Sequence, residues 1–235
     1  MIFRYLSVLG DDPFVFLLLL GSVTVALLVA IPVHEFGHAL AATLCGDDTA
    51  KRRGRLSLNP FTHLEPVGAL MIFLAGFGWG KPVPVDYRRL RGNRRLAAVS
   101  VALAGALGNF VVAAVLGALI RAGVVAWESP AYYPVIETWE VGSVAAVLVG
   151  YLILINVILG VFNLLPVPPL DGFKVVSALL PIGSARTAMR VEQYGAVVLV
   201  VLVVAGIVTG VLWDVLSTPV DVFIQFFAGK GLESI

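Results

Sequence analysis

Residues 13–33 read PFVFLLLLGSVTVALLVAIPV, with no Asp, Glu, Lys or Arg, and run directly into His34-Glu35-Phe36-Gly37-His38. A helix over such a stretch is about 30 Å long, the thickness of a bilayer's hydrocarbon core. Three more stretches are free of charge for long enough to cross: Leu96–Ile120, Val141–Leu170 and Gln193–Trp213. Pro66–Gly80 is also uncharged, but it is too short to span and carries four glycines, which predicts a re-entrant or interfacial segment. Composition agrees: 59% of the 235 residues are hydrophobic, 13% are charged, and mean hydropathy is +0.97. That leaves too little polar surface to clothe a soluble globule. The expectation is an all-α polytopic membrane bundle of about four full spans, forming a single domain over residues 1–235, with the lipid bilayer as its solvent.

The charges orient the chain. Lys51, Arg52, Arg53 and Arg55 follow the first span, Lys81, Arg88, Arg89, Arg91, Arg94 and Arg95 precede the second, and Lys174, Arg186 and Arg190 separate the third from the fourth. Basic residues gather on the cytoplasmic side. Arg4, Arg121 and Lys230 fall opposite, with an acidic, aromatic loop that includes Trp127, Glu128 and Trp139. Both termini are therefore expected on the non-cytoplasmic side. No small-x-small cleavage site precedes His34, so the first span reads as retained. A net charge of +1 gives no sign of a nucleic-acid partner, and the single cysteine, Cys45, excludes a Cys-based metal cluster.

Chemistry enters where the first span ends. Residues four apart on a helix share a face, so His34 and His38 can offer imidazole nitrogens to one ion. In the HExxH arrangement the intervening Glu35 is a general base for a zinc-bound water, whose pKa the metal lowers to about 7. Two histidines at this spacing can also be hydrogen-bonded core residues. Ionisable groups at membrane depth are costly, however, and are usually functional. Pro32 removes the helical bond to Leu28 and tends to kink the helix beside the ligands.

Zinc held by two histidines needs a third protein ligand and an open position. The remaining histidine is His63. A carboxylate is available at Asp171, the end of Asn163-Leu164-Leu165-Pro166-Val167-Pro168-Pro169-Leu170-Asp171-Gly172. Pro166, Pro168 and Pro169 cannot continue a helix, so the third span must unwind there, which is tolerated where backbone lines a cavity. Counted from the outer face, His34 lies roughly 30 Å deep and Asn163 roughly 33 Å. The two polar sites thus reach one level, near the cytoplasmic boundary.

Together, His34-Glu35-x-x-His38 and Asn163-x-x-Pro166-x-Pro168-x-Leu170-Asp171-Gly172 resemble the site-2 protease family of intramembrane zinc metalloproteases. Gly54–Pro60, Gly78–Val85 and the pair Gly105 and Asn109 extend the likeness, which runs from about His34 to Gly172. Ala106 and Glu65 depart from the family's usual proline and aspartate without touching the centre. The resemblance implies one zinc ion per chain held by His34, His38 and Asp171, water activation by Glu35, and oxyanion stabilisation by Asn163. It further implies an endopeptidase that cuts in or near a transmembrane segment of a substrate protein, in the cytoplasmic membrane of a prokaryote. A compact member, without the PDZ or CBS domains of some relatives, is therefore the expectation.

Four residues are weaker candidates for substrate contact or for support of the ligands. Val83 and Val85 lie in Lys81-Pro82-Val83-Pro84-Val85, read either as a strand offered to an unwound substrate, pairing with Arg55–Leu58 in a small cytoplasmic β element, or as a rigid extended connector. His63 is a support for the site, a gate or an ordinary loop histidine. Asn109 orients a ligand or joins neighbouring helices. From a different functional class comes the reading of a transporter or channel whose intramembrane His and Asp residues carry ions, which calls for an internal repeat that the sequence does not display. A zincin of another type would take a glutamate from a second helix as its third ligand.

Overall fold

The computed structural model describes residues 8–10, 12–68, 80–130, 140–181 and 190–232. Its principal helices are α1 (Pro13–Leu44), α2 (Thr49–Arg52), α3 (Pro60–His63), α4 (Arg94–Arg121), α5 (Val141–Asn163), α6 (Asp171–Leu179), α7 (Gly195–Thr209) and α8 (Val211–Ala228). Among the described residues α1, α4, α5 and α8 are long and apolar enough to cross a membrane. The chain is an integral membrane protein built as an all-α bundle.

Local chemistry starts the helices. Asp12 caps α1 by accepting from the N–H groups of Phe14 (2.9 Å) and Val15 (3.1 Å), and Pro13 occupies the first turn, where an N–H has no helical partner. Asn93 caps α4 in the same way. The helix α1 runs through Pro32 and past the two histidines as one element. It packs on both α4 and α5. Val15, Leu19 and Val23 meet Val147 and Tyr151, while Ile153, Val157 and Val161 of α5 meet Leu216, Val220 and Ile224 of α8.

One end of the bundle gathers the start of α1, the start of α5 and the last residues of α8. There the Ser129 hydroxyl donates to the Leu232 carbonyl. Arg121 donates Nε–H to the carbonyl of Phe227 (2.8 Å) and Nη2–H to those of Gln225 (3.2 Å) and Phe226 (2.7 Å). Both ends of the described chain thus lie on one side of the bundle, opposite His34 and His38.

The third span unwinds as expected: it stops as a helix at Asn163, because Pro166, Pro168 and Pro169 withhold the N–H groups a further turn requires. Two expectations need correction. The fourth apolar run is not one helix: Gly210, at φ +81°, ends α7 and α8 begins at once. The spanning helix there is α8. The expected β element is absent among the described residues, which contain a single antiparallel bridge between Leu64 and Gly80. Pro82 and Pro84 have no N–H to give, and the N–H groups of Arg55, Lys81 and Val83 go respectively to Ala50, His63 and Glu35. Residues 69–79 of the expected re-entrant segment lie outside the described residues.

Candidate metal centre

His34 and His38 project from one face of α1 toward α4, and small residues let the two helices approach. A Cβ added to Gly105 meets His38 Nε2 at 2.5 Å and His34 Nε2 at 2.7 Å. Any side chain there displaces the imidazoles. Each ring is then fixed through its other nitrogen. The amide nitrogen of Asn109 donates to the Ala30 carbonyl and to Asn156 Oδ1, both at 2.9 Å. Its Oδ1 is therefore the acceptor for His34 Nδ1–H at 2.8 Å. Asn156 in turn donates to the Leu152 carbonyl (2.8 Å), and Asn109 and Asn156 are both fully buried. His38 Nδ1–H donates to the Val101 carbonyl at 2.7 Å. Both Nε2 atoms are left with lone pairs facing the same point.

Asp171 arrives at that point from the broken third span. After Asn163 the chain turns through Leu164–Leu170 and restarts as α6, with Asp171 in its first turn, where a carboxylate suits the helix dipole. Asp171 Oδ2 lies 3.0 Å from His34 Nε2 and 3.0 Å from His38 Nε2, and the two nitrogens are 3.1 Å apart. Its other oxygen, Oδ1, accepts from Lys174 Nζ at 2.8 Å. All three residues are buried.

Three acceptor atoms in mutual contact repel one another unless a cation sits among them. Ligand bonds of about 2.0 Å at tetrahedral angles place ligand atoms about 3.3 Å apart, close to the spacing here. The donor set of two imidazoles and one carboxylate oxygen suits a divalent ion of the zinc type with a fourth position open. The two depths read from the chain thus converge on one site.

Beside the triad is a cavity of about 290 Å³. Glu35, Asn163, Val83, Val85, Tyr87, Lys174 and Glu192 are on its walls with the three ligand candidates. Glu35 Oε2 accepts the Val83 N–H at 2.9 Å. Asn163 donates one amide hydrogen to the Leu159 carbonyl (2.9 Å) and faces the cavity. His63 does not: it is fully buried behind Gly80, its Nε2–H donating to the Ser57 carbonyl at 2.7 Å. Asn109 is not on the wall either and reaches the site through His34. Asn156 and Lys174 are additions that sequence reading misses. An amide alone in an apolar span is a visible signal for the first, and a lysine three residues beyond a ligand candidate for the second.

A model of peptidase family M50 matches residues 122–206. YwhC of Bacillus subtilis (strain 168) is 36% identical over 216 residues, covering 89% of this chain and 92% of its own. Rip2 of Mycolicibacterium smegmatis is 31% identical over 180 residues, covering 75% and 64%, and Rip2 of Mycobacterium tuberculosis (strain H37Rv) is 30% identical over 186, covering 78% and 66%. All three carry zinc-metalloprotease names. The chain belongs to peptidase family M50, the site-2 protease family. It is a membrane-embedded metalloprotease, which sets aside the transporter reading. No solved structure matches it.

Proposed function

We propose that this M50 protease is a zinc endopeptidase that hydrolyses a peptide bond in or near a transmembrane segment of another protein. The observation that carries the reading is the contact of three acceptor atoms, His34 Nε2, His38 Nε2 and Asp171 Oδ2, at 3.0–3.1 Å from one another. These residues hold the ion. Zinc, when bound, supplies Lewis acidity and makes water a nucleophile at neutral pH.

The chain's own groups do the rest. Glu35, on the cavity wall and steadied by the Val83 N–H, takes the proton from the attacking water and returns it to the leaving amine. Asn163 has a second amide hydrogen beyond the one given to Leu159, and donates it to the oxygen of the substrate carbonyl as charge develops there. Lys174 holds Asp171 Oδ1, so that Oδ2 alone faces the imidazoles. The side of the bundle that carries the site also carries the exposed basic residues Lys51, Arg52, Arg53, Arg88, Arg89, Arg94 and Arg95. That charge supports a site near the cytoplasmic face of a prokaryotic plasma membrane, with both termini opposite and residues 1–235 working as one domain.

Glu35→Gln tests the role of the base: the variant is expected to bind one zinc per chain, measured by metal analysis after purification, and to cut nothing. Retained cleavage overturns the assignment. Asp171→Ala is expected to lose the zinc.

A further inference from the structure

We infer that Lys81–Asp86 is a strap that positions Glu35 through the backbone N–H of Val83. The inference rests on the reading of Glu35 as the base, and it accounts for two features that reading leaves unexplained: the Pro-Val-Pro segment and the buried Asp47.

The segment is tied down at both ends. At its start the Lys81 N–H donates to the His63 carbonyl at 2.7 Å, and the adjoining Gly80 bridges Leu64. At its end the Asp86 N–H donates to Asp47 Oδ2 at 2.7 Å. Asp47 is fully buried, and its Oδ1 accepts from the hydroxyl and the N–H of Thr49. Burial pushes its carboxyl up, but the Thr49 and Asp86 bonds outweigh that and hold it below the ordinary value. Between the anchors, Val85 packs on Ala42, Leu90, Ala97 and Val101, and Pro82 and Pro84 fix their own φ angles.

Two of the segment's backbone donors are already used. In extended backbone, Lys81, Val83 and Val85 direct their N–H groups to one edge and residues 82 and 84 to the other. Two donors of the first edge are already committed inside the protein, Lys81 to His63 and Val83 to Glu35. The second edge consists of prolines and offers carbonyls alone. The bond that reaches the site is the one to Glu35, and Val83 is the donor to that carboxylate among the described residues. It fixes Oε2 and leaves Oε1 for the water. A long side chain without it has several rotamers of similar energy, and small misplacement of a catalytic group is costly in rate.

The test uses the full chain in detergent, with a fluorogenic transmembrane-segment peptide chosen because the wild-type enzyme cuts it. Val83→Pro removes the N–H and keeps an extended φ. It is expected to bind one zinc and to show kcat reduced about 10- to 100-fold with KM within about twofold of wild type, the loss of one hydrogen bond to a charged group. Val83→Ala keeps the N–H, and its kcat is expected to exceed that of Val83→Pro at least tenfold. A raised KM with retained kcat in Val83→Pro, or unchanged kinetics, overturns the strap. If Val83→Pro fails to fold or to bind zinc, Asp47→Ala decides: it frees the far anchor, and a lowered kcat at constant KM supports the strap whereas unchanged kcat overturns it. Activity in Glu35→Gln signals instead that the base is misassigned, an outcome distinct from all of these.

Discussion

The two histidines and the aspartate reach the same point by different means. His34 and His38 sit on an unbroken helix, and each ring is held by a second partner on the neighbouring helix, Asn109 or the Val101 carbonyl. Asp171 stands where a helix has been interrupted, and its free oxygen is held by Lys174, a partly exposed side chain on its own short helix. The imidazole half depends on close helix packing and on an amide network sealed from water. The carboxylate half depends on local charge. Buried polar networks leave little freedom once satisfied, whereas partly exposed ion pairs contribute modestly. The same kind of perturbation should therefore do more damage on the first side than on the second.

The largest effect is expected from Gly105→Ala. Its Cβ meets both Nε2 atoms at 2.5–2.7 Å, so zinc stoichiometry should fall to near zero while circular dichroism still reports a helical protein. Full zinc occupancy in that variant would show that α1 and α4 can separate at no expense to the site. Next is Asn109→Leu, which strips the acceptor from His34 Nδ1–H and strands Asn156; zinc affinity by chelator competition should weaken about 10- to 100-fold. Asn109→Asp restores an acceptor and should recover part of it. Smallest is Lys174→Met, with zinc binding weakened about three- to tenfold at the low end of the range for such supports, and Lys174→Arg close to wild type. A Lys174→Met loss as large as that of Asn109→Leu would erase the distinction between the two halves.

Much of this was legible in the chain. A charge-free run ending in His34-Glu35-x-x-His38 announces both a span and a ligand pair, because neither an apolar helix nor two imidazoles on one face needs distant information. Asp171 was legible because a carboxylate after three prolines has few structural uses. Other boundaries were not, since freedom from charge marks where lipid is tolerated and not where a helix ends: Gly210 divides the fourth run, and α8 is apolar enough to span although Asp214, Asp221 and Pro219 interrupt its pattern. Asn156 stood out as an amide in an apolar span, but its partner, 47 residues away, was not legible. The internal bond made by Lys81–Val85 was illegible for a related reason. Sequence marks which residues lack an N–H, but not that the Val83 N–H is taken by a carboxylate from another helix.

Arg121 fastens one end of the bundle. Its guanidinium grips the carbonyls of residues 225–227, the final turn of α8, at the end remote from the triad. A parting of α4 from α8 that began at this corner would have to break these three bonds first.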